Sequence, residues 1–273
     1  MKTVNQLVAE IKENGQDFEW YPTTSEIVDA LAAKLKNRTV YSILDIGCGN
    51  GGFFEKLCKD EKFKNIKKYG IEKSMILSEQ LPDDVILLGT DFNQQTLIDK
   101  KVDIVFCNPP YSVYDEWAEK IILQANCNAI ALVIPNRWAN SERIKYALER
   151  RNMQAKVIGT YDFSNAERKA RATVDLLFIS AKETERNGYR YDETIKDPFE
   201  LWFDETFKIN AETDKYKTRY NSDIKEEINS NTSIVDDFNF PFASMDRSTM
   251  QKVNKETMVL NETLGQMDLI RFV

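Results

Sequence analysis

Short apolar runs alternate with helical segments between residues 41 and 151, and this alternation restricts the fold more than any other feature of the chain. The spacing of apolar residues predicts strands over 41–46, 67–72, 85–88, 102–107 and 129–134, and helices over 52–59, 74–81, 114–125 and 141–151. Strands that take turns with helices pair in parallel, because each helix returns the chain to the same edge of the sheet. We therefore predict an α/β, Rossmann-like fold with helices on both faces of a mostly parallel sheet.

The alternation ends in two strand-like segments, 156–163 and 173–180, with no helical periodicity between them. Such neighbours pair as an antiparallel hairpin, so the predicted sheet has seven strands. Upstream, apolar residues at helical spacing predict two short helices. The first is expected to end at Gly15, and the second to be capped by Thr24.

The chain of 273 residues contains no histidine. This excludes a Ser-His-Asp or Cys-His triad, an imidazole general base and metal sites with histidine ligands. The four cysteines, Cys48, Cys58, Cys107 and Cys127, form no C-x-x-C pair, and no signal peptide or long apolar run accompanies them. We therefore expect no disulfide framework, no metal, no membrane association and a reducing compartment, the cytoplasm.

Charge is distributed unevenly along the chain. The net charge of −7 argues against a nucleic-acid partner, since phosphate binding depends on Lys and Arg. Residues 140–172, however, carry a local charge of +4, whereas residues 184–273 carry −6. The connection between the last two predicted strands contains Arg168, Lys169 and Arg171, which we expect to contact nucleic acid. A solvated loop is the alternative.

A glycine-rich turn, D-I-G-C-G-N-G-G at residues 45–52, connects the first predicted strand to a helix. Glycine lets the backbone approach a ligand, and the amides at the start of the helix face that ligand. The spacing also satisfies G-x-G-x-x-G, which is typical of dinucleotide sites. The carboxylate of Asp45, however, would repel a pyrophosphate and attract a sulfonium or an ammonium. S-adenosylmethionine therefore fits this turn better than NAD.

Acidic residues also follow the next two predicted strands. Glu72 ends the second strand, where its carboxylate can accept hydrogen bonds from both hydroxyls of a ribose. Asp91 and Phe92 follow the third strand and offer a carboxylate to an adenine amino group and a ring to the adenine face. Each acid taken alone is more often a solvated or turn residue. Three acids at successive strand ends, with Asp45, indicate a nucleoside-binding crevice.

The tetrapeptide Asn108-Pro109-Pro110-Tyr111 directly follows the fourth predicted strand. A stiff turn that only ends the strand is the alternative. Methylation of a planar amino nitrogen requires its lone pair to leave conjugation. An amide oxygen and a backbone carbonyl that accept the two hydrogens achieve this without a tuned acid or base. The prolines fix the Pro109 carbonyl, and the Tyr111 ring can stack on a planar amide or base.

With these motifs the chain resembles a class I S-adenosylmethionine-dependent methyltransferase of the amino-methyltransferase group, over about residues 18–182. D-I-G-C-G-N-G resembles the first motif of that group and N-P-P-Y its fourth. The segment Y-P-T-T at residues 21–24, together with the lack of a long insert between the two motifs, resembles the gamma class of N6-adenine DNA methyltransferases. In this family N-P-P-Y marks transfer to adenine N6, to glutamine in release factors or to guanine N2 in ribosomal RNA.

The resemblance implies roles for individual residues. The implied catalytic residues are Asn108, Pro109, Pro110 and Tyr111. The implied contacts of S-adenosylmethionine are Tyr21, Thr23, Asp45, Gly47, Cys48, Gly49, Glu72, Lys73, Asp91, Phe92 and Asn108. In that set the glycines pack on the methionine part, Glu72 holds the ribose, Asp91 and Phe92 hold the adenine, and Thr23 lies near the methionine carboxylate.

Three regions follow from this assignment. Residues 1–40 are expected to hold the N-terminal helices and a cofactor-side segment, residues 41–182 the catalytic domain, and residues 183–273 a small module or arm. The gamma class carries target recognition after the catalytic domain, so this last region is a candidate for that role. It is, however, acidic and small for a DNA recognition domain.

The predicted function is transfer of a methyl group to N6 of adenine in DNA, with the target base flipped onto N-P-P-Y, by an orphan enzyme of a phage or mobile-element kind. N5-glutamine protein methylation and RNA N-methylation are the alternatives. An NAD-linked oxidoreductase would need a catalytic His or Tyr-x-x-x-Lys, and a silent binding module would not need an intact N-P-P-Y. We expect DNA as the partner, a monomer or weak dimer, and the cytoplasm of a bacterial or phage-infected cell.

Overall fold

A computed structural model describes residues 2–163, 168, 172–186 and 189–207. In chain order the elements are α1 (Val4–Glu13), α2 (Ser25–Leu35), β1 (Ser42–Ile46), α3 (Gly52–Leu57), β2 (Lys67–Ile71), α4 (Met75–Ser78), β3 (Val85–Gly89), β4 (Val102–Cys107), α5 (Tyr114–Gln124), β5 (Cys127–Pro135), α6 (Glu142–Arg151), β6 (Met153–Asp162), β7 (Thr173–Ala181), β8 (Glu183–Arg186), β9 (Tyr189–Asp192) and α7 (Pro198–Phe207). Short 3-10 turns lie at Glu61–Phe63, Phe92–Gln94 and Asn136–Asn140.

The main sheet has seven strands in the order β3-β2-β1-β4-β5-β7-β6. Strands β1 to β5 pair in parallel, and β7 runs antiparallel to its two neighbours, β5 and β6. The predicted mostly parallel sheet, closed on one side by a hairpin, is therefore confirmed. Parallel strands that are covered on both faces are apolar along their length, and this property makes β4 and β5 recognisable in the sequence.

Helices cover both faces of the sheet. On one face, α2 and α3 pack against β1, β4, β5 and β7, and the rings of Phe53 and Phe106 stack with 3.9 Å between their centres. On the other face, α5 and α6 pack against the alternate residues of the same strands. Successive residues such as Ile43 and Leu44 are both fully buried but belong to opposite core layers. This packing holds in place the carboxyl ends of the parallel strands, where the candidate site described below lies.

Helix α1 packs against α4, whereas α2 packs against α3 and β6. Helix α1 begins with a capping box, in which Thr3 and Gln6 each accept a hydrogen bond from the other's backbone N–H. Gly15, just beyond α1, has a φ of +65°, as suits the predicted end of that helix. Thr24 stands at the predicted N-cap of α2, but its side chain makes no capping hydrogen bond.

The chain after β7 forms elements that its polar composition did not indicate, namely the hairpin β8–β9 and helix α7. The buried side chain of Arg151 anchors the link between them to the end of α5. Its guanidinium donates to four backbone carbonyl oxygens, those of Ile122, Leu123, Ala125 and Lys196. The compact unit therefore extends to Thr206, beyond the boundary expected at residue 182. The three-part division stays a prediction, and residues 208–273 lie outside the described part.

All four cysteines lie in the described part of the chain, and none forms a disulfide. Burial raises the pKa of Cys48 and Cys107. Both thiols are therefore protonated at neutral pH.

Among the described helices, none is both long enough and apolar enough to cross a lipid bilayer.

Candidate active site

The candidate site lies where the strand order of the sheet reverses. The chain adds β2 and β3 on one side of β1, and β4 and β5 on the other. Ligands of such sheets bind at the carboxyl ends of the strands beside that point, and a cavity of about 210 Å³ opens there. The predicted cofactor contacts that line it are Tyr21, Thr23, Asp45, Gly47, Cys48, Glu72, Lys73, Asp91, Phe92 and Asn108.

Two glycines shape the turn between β1 and α3. Gly47 and Gly49 have φ values of +76° and +56°, a conformation that glycine adopts without strain. The backbone N–H groups of Gly47 and Cys48 donate to the carbonyl oxygen of Ile71 at 2.8 and 3.1 Å, which ties the turn to β2. The indole of Trp20 covers Gly49, and a Cβ atom at Gly49 would lie 2.1 Å from the indole nitrogen. Gly49 therefore makes room for Trp20 and does not itself line the described cavity.

The carboxylate of Asp45 lies at the floor of the cavity. Asp45 is only 3% exposed and lines the cavity. Within the described residues, no N–H or O–H group donates a hydrogen bond to this carboxylate. Burial, together with the nearby charge of Glu72, raises the pKa of Asp45 well above its ordinary value. A buried carboxylate without a donor suits a cationic ligand, which would restore its charge.

Glu72 connects the glycine turn to the start of α4. Its two carboxylate oxygens accept hydrogen bonds from the backbone N–H groups of Gly49 and Ser74, each at 2.7 Å. Burial raises the pKa of Glu72 although these hydrogen bonds oppose the shift. Each carboxylate oxygen has a second lone pair, so Glu72 can also accept from ribose hydroxyls. The residue thus both shapes the turn and faces the cavity.

Lys73 and Asp91 form an ion pair at 3.0 Å near one end of the cavity. The hydrogen bond from Lys73 lowers the pKa of Asp91, and the backbone N–H of Asn93 adds to this effect. Beside them, the buried ring of Phe92 lies 4.5 Å from that of Trp117, centre to centre. A planar group with hydrogen-bond donors fits between such a carboxylate and such rings.

The amide of Asn108 has a fixed orientation. Its Nδ2 atom donates to the carbonyl oxygen of Tyr21 at 2.9 Å and to Oγ1 of Thr23 at 3.4 Å. A carbonyl oxygen can only accept, so the atom that faces it must be the amide nitrogen. Oδ1 of Asn108 is buried and has no hydrogen-bond partner among the residues that the structure describes. A buried acceptor that lacks a donor, at the edge of a cavity, is suited to bind a donor group of a ligand.

Tyr111 is covered by aromatic rings. The ring of Tyr21 stacks on it with 5.7 Å between centres and 2° between planes, and Phe163 meets it edge-on at 6.1 Å. Its hydroxyl group is buried and finds no hydrogen-bond partner within the described ranges, and burial raises the pKa of Tyr111. Of the four N-P-P-Y residues, Asn108 and Pro110 line the described cavity, whereas Tyr111 lies beneath Tyr21.

Residues 16–23, which we call the cover segment, line one side of the cavity. From the sequence, only Tyr21 and Thr23 of this segment were predicted to contact the cofactor. The contribution of its other residues to the cavity was missed. The Glu19 carboxylate accepts hydrogen bonds from the backbone N–H and the hydroxyl of Ser112, immediately after N-P-P-Y. Gln16 accepts from Ser74 at 3.1 Å. The aromatic run F-E-W-Y at residues 18–21, between two predicted helices, is the one signal that could have indicated this segment.

Arg168 lies against the cover segment. Its guanidinium forms a bidentate pair with Asp17 at 2.7 and 2.8 Å and donates to the carbonyl oxygen of Trp20 at 2.7 Å. It therefore faces acceptors of the protein itself, whereas the sequence predicted a phosphate contact. Lys169 and Arg171 lie outside the described residues.

The strand order, the glycine turn after β1 and N-P-P-Y after β4 define a class I S-adenosylmethionine-dependent methyltransferase fold. The chain belongs to the N-6 DNA methylase family, whose family model matches residues 6–159.

Individual relatives are more distant. The release factor glutamine methyltransferase of Lactococcus lactis is 29% identical over 101 residues, which are 36% of this chain and 37% of that protein. The chain thus matches little more than a third of the length of this curated relative. Among solved structures, a dimethyladenosine transferase from Plasmodium falciparum has a TM-score of 0.45 at 14% identity over 60% of this chain and 63% of that one. The 23S rRNA methyltransferase ErmE has a TM-score of 0.47 at 11% identity over 60% and 70%.

Proposed function

We propose that the protein transfers a methyl group from S-adenosylmethionine to the exocyclic N6 of adenine in DNA. The observation that carries this proposal is the Asn108 amide, whose nitrogen is held by Tyr21 and whose buried oxygen has no partner in the described part of the chain. An acceptor held in this way suits an amino group of a target better than a hydroxyl or a thiol, because an amino nitrogen keeps a second hydrogen for another acceptor.

The residues of the cavity fit the cofactor. Asp45 offers an unpartnered carboxylate to the cationic methionine part, and Glu72 has lone pairs for ribose hydroxyls. Asp91, Phe92 and Lys73 surround the place for an adenine. Bound there, S-adenosylmethionine supplies an electrophilic methyl group.

The reaction requires two hydrogen-bond acceptors from the protein and no acid or base with a tuned pKa. Oδ1 of Asn108 accepts a hydrogen bond from one N–H of the target amino group, and the carbonyl oxygen of Pro109 accepts a hydrogen bond from the other. These two acceptors draw the nitrogen out of conjugation and stabilise the positive charge that develops on it. After the transfer, the positively charged nitrogen is strongly acidic and loses one proton to water. No group with a pKa near neutrality is therefore needed, which agrees with a chain that has no histidine. A planar target can stack on the ring of Tyr111 only after the ring of Tyr21 has moved aside.

Membership of the N-6 DNA methylase family supports DNA as the target. An adenine in a duplex must leave the base stack to reach such a site. Since Tyr21 covers the face of Tyr111, a flipped base has to displace this ring or stack beside it. We also propose that the protein binds DNA and acts in the cytoplasm.

A protein glutamine is the second candidate target. The match to a release factor glutamine methyltransferase favours it, and so does the net charge of −7, which does not favour a phosphate backbone. A side-chain amide presents the same planar nitrogen to Asn108 as adenine does.

The test is a direct choice between target classes. The protein is incubated with methyl-labelled S-adenosylmethionine and, in separate reactions, with unmethylated duplex DNA, ribosomal RNA and a release factor. Each product is digested and analysed by mass spectrometry. The proposal predicts labelled N6-methyladenine from DNA. Label found only in RNA or only in glutamine would overturn the DNA assignment and leave the transferase assignment in place.

A further inference from the structure

One arginine joins two parts of the chain that are 151 residues apart. Arg168 follows β6, and its bidentate partner Asp17 precedes α2. The side chains are only 14% and 19% exposed, and the hydrogen bond from Arg168 lowers the pKa of Asp17. By comparison, the surface pair of Arg143 and Glu119 is 52% and 24% exposed. Partly buried bidentate pairs fix geometry more tightly than exposed ones do.

The same guanidinium makes two further contacts with the cover segment. It donates to the carbonyl oxygen of Trp20 at 2.7 Å, and its carbon lies 4.4 Å from the centre of the Tyr21 ring. Arg168 thus touches the residue on each side of the Trp20–Tyr21 peptide bond. A lone ion pair with Asp17 would not require either contact.

Tyr21 in turn meets two residues of N-P-P-Y. Its carbonyl oxygen accepts from Nδ2 of Asn108, and its ring stacks on Tyr111. A shift of the Tyr21 backbone would release the Asn108 amide, which could then rotate and turn its nitrogen toward the target. The position of Tyr21 therefore decides which atom of Asn108 faces the reacting group.

The backbone of the cover segment needs such a restraint. Glu19 has a φ of +61°, a left-handed conformation that a residue other than glycine adopts at a cost in energy. The hydrogen bonds from Ser112 to Glu19 hold one side of this bend, and Arg168 holds the other.

We propose that Arg168 is a positioning residue, which fixes the cover segment so that Tyr21 orients the Asn108 amide and the segment closes the cofactor cavity. The first part of this inference, the orientation of the Asn108 amide, rests on the proposed function. The second part, the closure of the cavity, does not. The closure of the cavity can be measured without any methyl transfer, since Phe18, Trp20 and Tyr21 line it.

The first experiment compares Arg168→Met with Arg143→Met, which removes an arginine from the exposed pair. The release rate of S-adenosylhomocysteine and the melting temperature are measured for both. Arg168→Met should release the ligand roughly 10-fold to 100-fold faster than the wild type, because the loss of a charge-assisted hydrogen bond that holds the cover segment corresponds to a change of that size. Arg143→Met should match the wild type. Equal release rates for all three proteins would overturn the proposal, whatever the target of the enzyme is.

The second experiment exchanges the charges in the double variant D17R/R168D. An aspartate at position 168 can pair with an arginine at position 17, but it cannot donate to the Trp20 carbonyl or stack on Tyr21. We expect the exchange to restore the melting temperature while kcat stays roughly 10-fold to 100-fold low with little change in the KM of the target. Full recovery of kcat would show that the ion pair acts only on stability and would overturn the proposal.

The third measurement separates positioning from phosphate binding. If Arg168 contacted a phosphate, its replacement would reduce the slope of log affinity for DNA against log salt by about one unit. We expect Arg168→Met to leave this slope unchanged, because the guanidinium is engaged by Asp17 and Trp20. A slope reduced by about one unit, together with an unchanged kcat, would show that Arg168 contacts DNA and does not position the cover segment. Absence of methyl transfer by the wild type would count against the proposed function and leave the release-rate result standing.

Discussion

The side-chain nitrogen of Asn108 donates to the carbonyl oxygen of Tyr21 across 2.9 Å, although the two residues are 87 positions apart. This hydrogen bond determines that Oδ1 of Asn108, and not Nδ2, remains for a ligand. The cover segment is therefore part of the catalytic arrangement as well as one wall of the cofactor cavity.

Glu72→Ala should abolish stabilisation by the cofactor product. S-adenosylhomocysteine at 100 times its dissociation constant stabilises a protein by about 2.7 kcal/mol through mass action. The variant loses both the ribose acceptor and the anchors of Gly49 and Ser74, so its melting temperature should not respond to the ligand. Glu79→Ala, an exposed glutamate in the same region, is the control. Equal shifts in both variants, or a shift with NAD instead, would refute the cofactor assignment.

Asp45→Asn should change how stability depends on pH. The folded-state pKa of Asp45 is raised by burial and by Glu72, so its contribution to stability is fully present below its unfolded pKa and is lost as pH rises through the folded value. The neutral asparagine does not suffer this loss. Without ligand, the variant should melt above the wild type at neutral and alkaline pH, and its stability should fall less steeply as the pH rises above the ordinary pKa of an aspartate. It should also lose affinity for S-adenosylmethionine. A profile that parallels the wild type would show that Asp45 is not the titrating group.

Tyr111→Phe should be tolerated, and Tyr111→Ala should not. The hydroxyl is buried and has no partner among the described residues, so its removal should increase the free energy of unfolding by about 1 kcal/mol and leave kcat nearly unchanged. Removal of the ring takes away the contacts with Tyr21 and Phe163 and should cost roughly 3 kcal/mol, with a higher KM for the target. Denaturant unfolding and steady-state kinetics measure both effects. A large loss of kcat in Tyr111→Phe would instead show that the hydroxyl binds the target.

Lys169 and Arg171, which lie outside the described residues, remain predicted nucleic-acid contacts. If both touch phosphates of duplex DNA, their joint replacement by alanine should reduce the salt slope of binding by about two units. Affinity should fall similarly for all DNA sequences, because phosphate contacts do not read bases. Binding titrations at several salt concentrations provide the measurement. An unchanged slope would identify these residues as part of a solvated loop.

The strands and the two motifs could be predicted because local patterns determine them. Strand β5 is a nearly continuous apolar run and β4 is interrupted only by Asp103, while the glycine turn and N-P-P-Y stand directly at strand ends. The helices predicted over 52–59 and 74–81 end earlier in the structure, at Leu57 and Ser78, since apolar spacing continues into the turns that follow them.

The cover segment and the role of Arg168 could not be predicted in the same way. The partners of Glu19 and Asp17 are Ser112 and Arg168, which lie far away in the sequence. A basic residue in a charged loop has the same appearance in the sequence whether it binds a phosphate or a carboxylate of the protein itself. Only the fold brings Asp17 to it.

The most direct test of the account is single-turnover methyl transfer to duplex DNA by the wild type and by Asn108→Ala. Both proteins are saturated with labelled S-adenosylmethionine, and their affinities for S-adenosylhomocysteine are measured as the control. We predict labelled N6-methyldeoxyadenosine from the wild type, a rate roughly 10² to 10³ lower for the variant, and ligand affinities within a few fold of each other. An Asn108→Ala protein as fast as the wild type, or a wild type that forms no N6-methyladenine in DNA, would contradict the account.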